Sequence, residues 1–169
     1  MDEENYNAEH QPFVLGDDVG CRFDDLTGNS IEQECYPVDV YEKLKNYAMD
    51  AAEVNRETMA AITKARNNPE AEVTIYRGVP KNVEKINPGD WVTPSKTYAE
   101  HHAKANLKNQ EQGHVLELKV KACELFSDGN SLAEWGYWPK EVQIASAELE
   151  RTIEEQQQKE ARERQERQR

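Results

Sequence analysis

No apolar run in this 169-residue chain approaches the ~20 residues that a membrane-spanning helix needs. The opening Met1-Asp2-Glu3-Glu4 is acidic and has none of the basic-then-apolar pattern of a secretory signal. Cysteine is scarce. Cys21, Cys35 and Cys123 are odd in number and widely spaced, which suggests neither a disulfide framework nor a paired-cysteine zinc site. A reduced, cytoplasmic setting is the expectation. Gly-rich phosphate loops are missing. His101 and His102 are adjacent on an expected helix, pointing about 100° apart, and His114 and Cys123 are distant, so no metal site is expected. A nucleophile pair of Cys123 and His114 lacks any elbow-like surroundings. Core-forming residues are few as well: 37% of the chain is apolar against 32% charged, with a mean hydropathy of -0.98, so part of the chain should lie outside a packed core.

Charge is distributed unevenly. Residues 1–39 carry 11 acids and one base, 40–147 carry 15 and 14, and 148–169 carry seven and six, which together make the net charge of -12. The acidity therefore belongs almost wholly to the N-terminal stretch. A pI near 4.8 argues against attraction to a phosphate backbone as the main source of affinity. It leaves room for the opposite arrangement, an acidic non-enzymatic inhibitor that mimics nucleic acid and occupies a host nucleic-acid-binding protein.

Composition and periodicity divide the chain into three parts: residues 1–36, an acidic extension partly docked on the domain; 37–147, an α+β domain; and 148–169, a charged helical tail or linker. In the first part, Phe13-Val14-Leu15, Phe23, Leu26 and Ile31 are the pieces able to dock. A leading helix is predicted over 38–65, where Val40, Tyr41, Leu44, Tyr47, Ala48, Ala51, Ala52, Met59 and Ile62 recur mostly at three- and four-residue spacing. Asp39 suits its cap, and Asn67-Asn68-Pro69 its end. Strands are predicted over 72–77, 91–93, 113–122, 131–137 and 142–147, with a second helix over 98–108 carrying Ala99, His102, Ala103 and Leu107 on one side. Asn87-Pro88-Gly89-Asp90 suits a type II turn. The tail is filled by Glu, Gln and Arg with only Leu149 and Ile153 apolar, so it reads as a solvated helix without the heptads of an assembly.

Three places invite chemistry. In Ile75-Tyr76-Arg77-Gly78, glycine admits a close backbone approach and arginine offers a forked donor for phosphate or carboxylate. An arginine ending a strand is also a common surface residue. In Trp91-Val92-Thr93-Pro94-Ser95-Lys96-Thr97-Tyr98-Ala99, the Thr93 and Ser95 hydroxyls share one face of an extended segment leading into a helix. Ser95 or Thr97 can equally be the cap of that helix. In Leu132-Ala133-Glu134-Trp135-Gly136-Tyr137-Trp138, one carboxylate stands among aromatics, where it either protonates at raised pH or pairs with a cation.

Taken in order, Tyr76-Arg77-Gly78, the Gly89–His102 segment and Glu134-Trp135-Gly136-Tyr137 resemble the Arg-Ser-Glu pattern of ADP-ribosyltransferases, best matched by the small ADP-ribosyltransferase-like domains of phage and mobile-element polyvalent proteins. The resemblance covers about Val73 to Ala147. It implies a mixed or antiparallel split sheet, NAD as substrate, and a mono-ADP-ribosyltransferase acting on a host protein or nucleic-acid acceptor in the host cytoplasm. Arg77 would hold a phosphate or ribose of NAD and Gly78 the nicotinamide amide. Ser95, with Thr93, would order the site around Arg77 and Glu134. Glu134 would bind the nicotinamide ribose and stabilise positive charge at the carbon that nicotinamide leaves. Tyr98 or Trp91 would stack on the nicotinamide or belong to the core. Members that modify arginine carry Gln or Glu two residues before the catalytic Glu, where this chain has Leu132, so the resemblance does not extend to arginine as acceptor.

Overall fold

The computed structural model describes residues 20–27, 29–30, 33–105, 113–127 and 129–167. In chain order the elements are β1 (Cys21–Arg22), β2 (Asn29–Ser30), β3 (Gln33–Glu34), α1 (Leu44–Tyr47), α2 (Ala52–Ala65), β4 (Glu72–Val79), β5 (Trp91–Val92), α3 (Lys96–Ala105), β6 (His114–Lys121), β7 (Leu125–Ser127), β8 (Trp135–Tyr137) and α4 (Lys140–Arg167). The expected docking of Phe13-Val14-Leu15 and Ile31, and the place of Leu107 on the second helix, lie outside the described residues.

The class is α+β, and among the described residues every strand pair is antiparallel. One sheet runs β1-β7-β8-β5, and β4 and β6 form a separate long ribbon from Glu72↔Lys121 to Val79↔His114. The two are joined where Tyr76 and Thr93 exchange backbone hydrogen bonds of 2.8 and 2.9 Å. Val73 and Ile75 on β4 alternate inward to meet Ile62 and Ala65 of α2, with Val92, Val120, Leu125 and Trp135 in the same core. Each fully buried aliphatic side chain there contributes roughly 1.5–3 kcal/mol. Phe23 and Leu26 are also completely buried, Phe23 edge-on to Trp135 at 4.6 Å, so the stretch around β1 is built into this core. Helix α3 crosses β4 on its small residues Ala99 and Ala103. The approach is so close that a Cβ on Gly78 would come within 2.1 Å of the Ala99 carbonyl oxygen.

Four expectations change. The single leading helix over 38–65 is divided into turns, the short α1 and then α2. The Asn55 side chain accepts from the Asp50 N–H and donates to the Ala48 and Asp50 carbonyls, which holds the chain in a bend between the two helices. Asp39, expected as a backbone cap, instead takes the Lys43 ammonium and the Tyr47 hydroxyl. The expected strand over 131–137 shortens to β8, because the Ser131 hydroxyl accepts from Ala133 N–H and Trp135 Nε1 donates to the Leu132 carbonyl, closing a turn. The expected strand over 142–147 is helical. Pro139 begins it, its carbonyl accepts from Val142 and Gln143, and the Glu124 carboxylate receives the Lys140 N–H. The apolar Val142 and Ile144 on either side of Gln143 could not by themselves show that a cap from a distant residue was waiting. The turn at Asn87–Asp90 stands as read, with Gly89 at φ 83° and Trp138 packed over the space its side chain would fill.

Candidate functional site

The seam between ribbon and sheet opens into a cleft of about 110 Å³, the share of roughly four liquid waters at ~30 Å³ each, or one ring-sized group. Arg77 and Gly78 line it from β4, Trp91 and Thr93 from β5 and the residue after it, Tyr98 from α3, and Glu134 from the turn before β8. The three segments singled out in the sequence thus meet at one place, brought there by the Tyr76–Thr93 bridge and by the pairing of Trp91 with Gly136.

Ser95 does not line the cleft. It is fully buried behind it, where its hydroxyl accepts from Tyr98 N–H at 3.1 Å as the cap of α3 and donates to Glu57 at 2.6 Å. Thr93 Oγ1 accepts from the Ser95 N–H, which ties the cleft wall to that cap. Glu57, from α2, also receives the Thr97 hydroxyl at 2.8 Å and the Thr97 N–H at 3.1 Å. Burial pushes the Glu57 carboxyl upward, but these hydrogen bonds outweigh it and hold the group below its ordinary range. Glu57 was not singled out from sequence. The available sign was a carboxylate beside the stripe of Val54, Thr58 and Ile62, a position that requires donors.

Glu134 accepts a 2.7 Å hydrogen bond from the Tyr98 hydroxyl. Burial, and then that bond to a carboxylate, keep the Tyr98 phenol protonated well above its ordinary range. The Tyr98 ring lies 4.6 Å from that of His102, which also lines the cleft and which the sequence presented only as a helix-face residue and a metal ligand without partners. Asp50 belongs to the same neighbourhood: burial raises its carboxyl, the Glu134 charge adds to the rise, and His102 opposes it. Trp135 and Leu132, beside Glu134, are buried in the core.

Arg77 is only 4% exposed and forms an ion pair with Asp90, itself 1% exposed. Asp90 Oδ2 also accepts the Asn87 N–H at 2.7 Å. The turn that the sequence predicts at 87–90 therefore supplies the counter-charge of the arginine at the cleft, a function its turn chemistry does not reveal. Among the described residues no group of three or more His, Cys, Asp or Glu is placed to hold a metal. His114 and Cys123 flank opposite ends of β6, too far apart to act together.

No protein-family model, curated protein or solved structure matches this chain.

Proposed function

We propose that this chain is an NAD-dependent mono-ADP-ribosyltransferase with an ADP-ribosyltransferase-like split sheet, an effector of phage or mobile-element type that modifies a host protein or nucleic acid. The reading is carried by one observation: Arg77-Gly78, Thr93 and Glu134, from three separated segments, share the wall of one ring-sized cleft. In this reaction the bond between nicotinamide and ribose breaks, ADP-ribose passes to the acceptor nucleophile, and nicotinamide and the acceptor's proton are released. Positive charge grows on the ribose carbon as the bond breaks, so a fixed anion beside it stabilises the transition state more than the ground state.

Glu134 is that anion, and the Tyr98 hydroxyl orients it. The cleft suits the nicotinamide ring, with Trp91 on the wall and the rest of the dinucleotide toward the open mouth. Since Asp90 already balances the Arg77 charge, Arg77 serves as a positioned donor in the wall and not as a free cation for a phosphate. Ser95 and Glu57 hold the start of α3, and with it Tyr98.

Mass spectrometry after incubation with NAD and a cell lysate tests the reading. Addition of one ADP-ribose to a lysate component or to the chain itself is expected. Glu134→Gln should lower transfer and slow NAD hydrolysis by at least ~100-fold, the scale of one electrostatic stabiliser, with little change in NAD affinity. Glu141→Gln, on an exposed residue, is the control. Wild-type turnover in Glu134→Gln removes the catalytic assignment. Salt-sensitive capture of a nucleic-acid-binding protein without NAD turnover would favour the acidic inhibitor instead.

A further inference from the structure

Two of the three thiols, well separated in sequence, meet in the fold. Cys21 is the cross-strand partner of Ser127, and the Cys35 Sγ lies 3.6 Å from the Ser127 carbonyl oxygen. Both cysteines thus converge on one residue of β7, Cys21 through strand register and Cys35 through its sulfur, and Cys35 is close enough to push the Cys21 thiol upward. Gly129 closes over Cys35 from the other side: a side chain there would begin 3.3 Å from its Sγ. Cys21 is buried, and Cys35 is half-buried. Neither lines the cleft.

We propose that Cys21 and Cys35 form a redox-active dithiol that a peroxide closes to a disulfide, stapling the edge strand β1 to the segment that follows β3. The two sulfurs take different parts. The neighbouring Cys35, with burial added, keeps Cys21 protonated far above the ordinary thiol range, so the more accessible Cys35 reacts first. The Cys35 thiolate attacks the peroxide O–O bond, becoming a sulfenic acid while the departing hydroxide takes up a proton as water. Cys21 then loses its proton and attacks the Cys35 sulfur, expelling the second water. Two thiols and one hydrogen peroxide become one disulfide and two waters.

The staple closes a loop of about 15 residues, 21 through 35, that contains Phe23 and Leu26, both completely buried. Phe23 packs on Trp135, the neighbour of Glu134, so the staple strengthens the support behind the cleft. A loop of that length predicts a rise in melting temperature of roughly 6–12 °C on oxidation.

The test treats the full chain with a small molar excess of hydrogen peroxide, alkylates it without reductant and maps the peptides by mass spectrometry. A Cys21–Cys35 linked pair, two hydrogens lighter, is expected with Cys123 alkylated, together with a higher melting temperature that dithiothreitol reverses. Cys35→Ser should melt like the reduced wild type and show no peroxide-induced rise. Cys35 over-oxidised to sulfinic acid with Cys21 still alkylated, linkage through Cys123, or a Cys21–Cys35 link that lowers the melting temperature would each overturn the proposal.

Discussion

At the scale of single residues, the Arg77–Asp90 pair sets limits on what the cleft can do. Both side chains are almost wholly removed from water, so removing either leaves the other charge buried and uncompensated. Arg77→Ala should therefore destabilise the fold by about 3–5 kcal/mol in urea denaturation. Arg77→Met combined with Asp90→Leu should recover most of that loss, since an apolar pair of similar volume avoids the desolvation altogether. A double variant no more stable than Arg77→Ala would refute the ion-pair account. Tyr98 carries a separate prediction. Its phenol titrates above the ordinary value near 10, so its contribution is complete below pH 10 and is lost as pH rises through the folded-state value. Tyr98→Phe keeps the ring beside His102 but removes the donor to Glu134. The alkaline limb of its stability profile should flatten, and turnover should fall by about 10–100-fold, as expected for a lost hydrogen bond to a charged group. Unchanged turnover would show that Glu134 needs no such orientation.

Among the elements, α3 depends on a partner in α2. Its first turn is held by one carboxylate that receives the Ser95 and Thr97 hydroxyls and the Thr97 amide. The Glu57 carboxyl is depressed in the fold, so its contribution is present above about pH 4.5 and is lost as pH falls below that value. Glu57→Gln keeps one acceptor and loses the charge, which predicts a loss of about 1–2 kcal/mol at pH 7 that shrinks toward pH 3. An equal loss at both pH values would mean that packing, and not charge, is the source. Helix α4 behaves in the opposite way. Gln143 donates to the Cys123 and Trp138 carbonyls at its start, while Leu149 and Ile153 remain exposed beyond it. Truncation before Arg151 should change stability by no more than about 0.5 kcal/mol while lowering helical circular dichroism.

For the molecule as a whole, the cleft lies where the β4–β6 ribbon is joined to the four-stranded sheet by the bridge of Tyr76 and Thr93. A ligand there touches both parts, so its binding energy should appear as a shift of one cooperative transition. NAD at a hundredfold excess over its Kd predicts about 2.7 kcal/mol of added stability. Hydrogen exchange should slow together at 76–78, 91–93 and the first turn of α3, with no change in the far part of α4. Protection confined to one side of the seam would place the ligand elsewhere.

Local pattern was enough for β4, β6, the Asn87–Asp90 turn and the exposed tail helix, because alternation, a Pro-Gly turn and an uninterrupted charged stretch each act within a few residues. The same local evidence named Arg77, Thr93 and Glu134 as candidates for chemistry. It could not supply their partners. Asp90 for Arg77, Glu57 for Ser95 and Thr97, and Tyr98 for Glu134 are matched by strand pairing and helix crossing, which no spacing along the chain records. The strand expected at 142–147 became helix for the same reason, since the Glu124 carboxylate that receives its first amide comes from another turn of the structure. Cys21 and Cys35, set aside as too widely spaced, become neighbours only because both reach Ser127. Sequence determined which groups exist and which short segments could be regular; tertiary structure decided which charges are paired and which hydroxyls are held, because an unpaired polar group is costly to bury and the fold sets which partners are within reach.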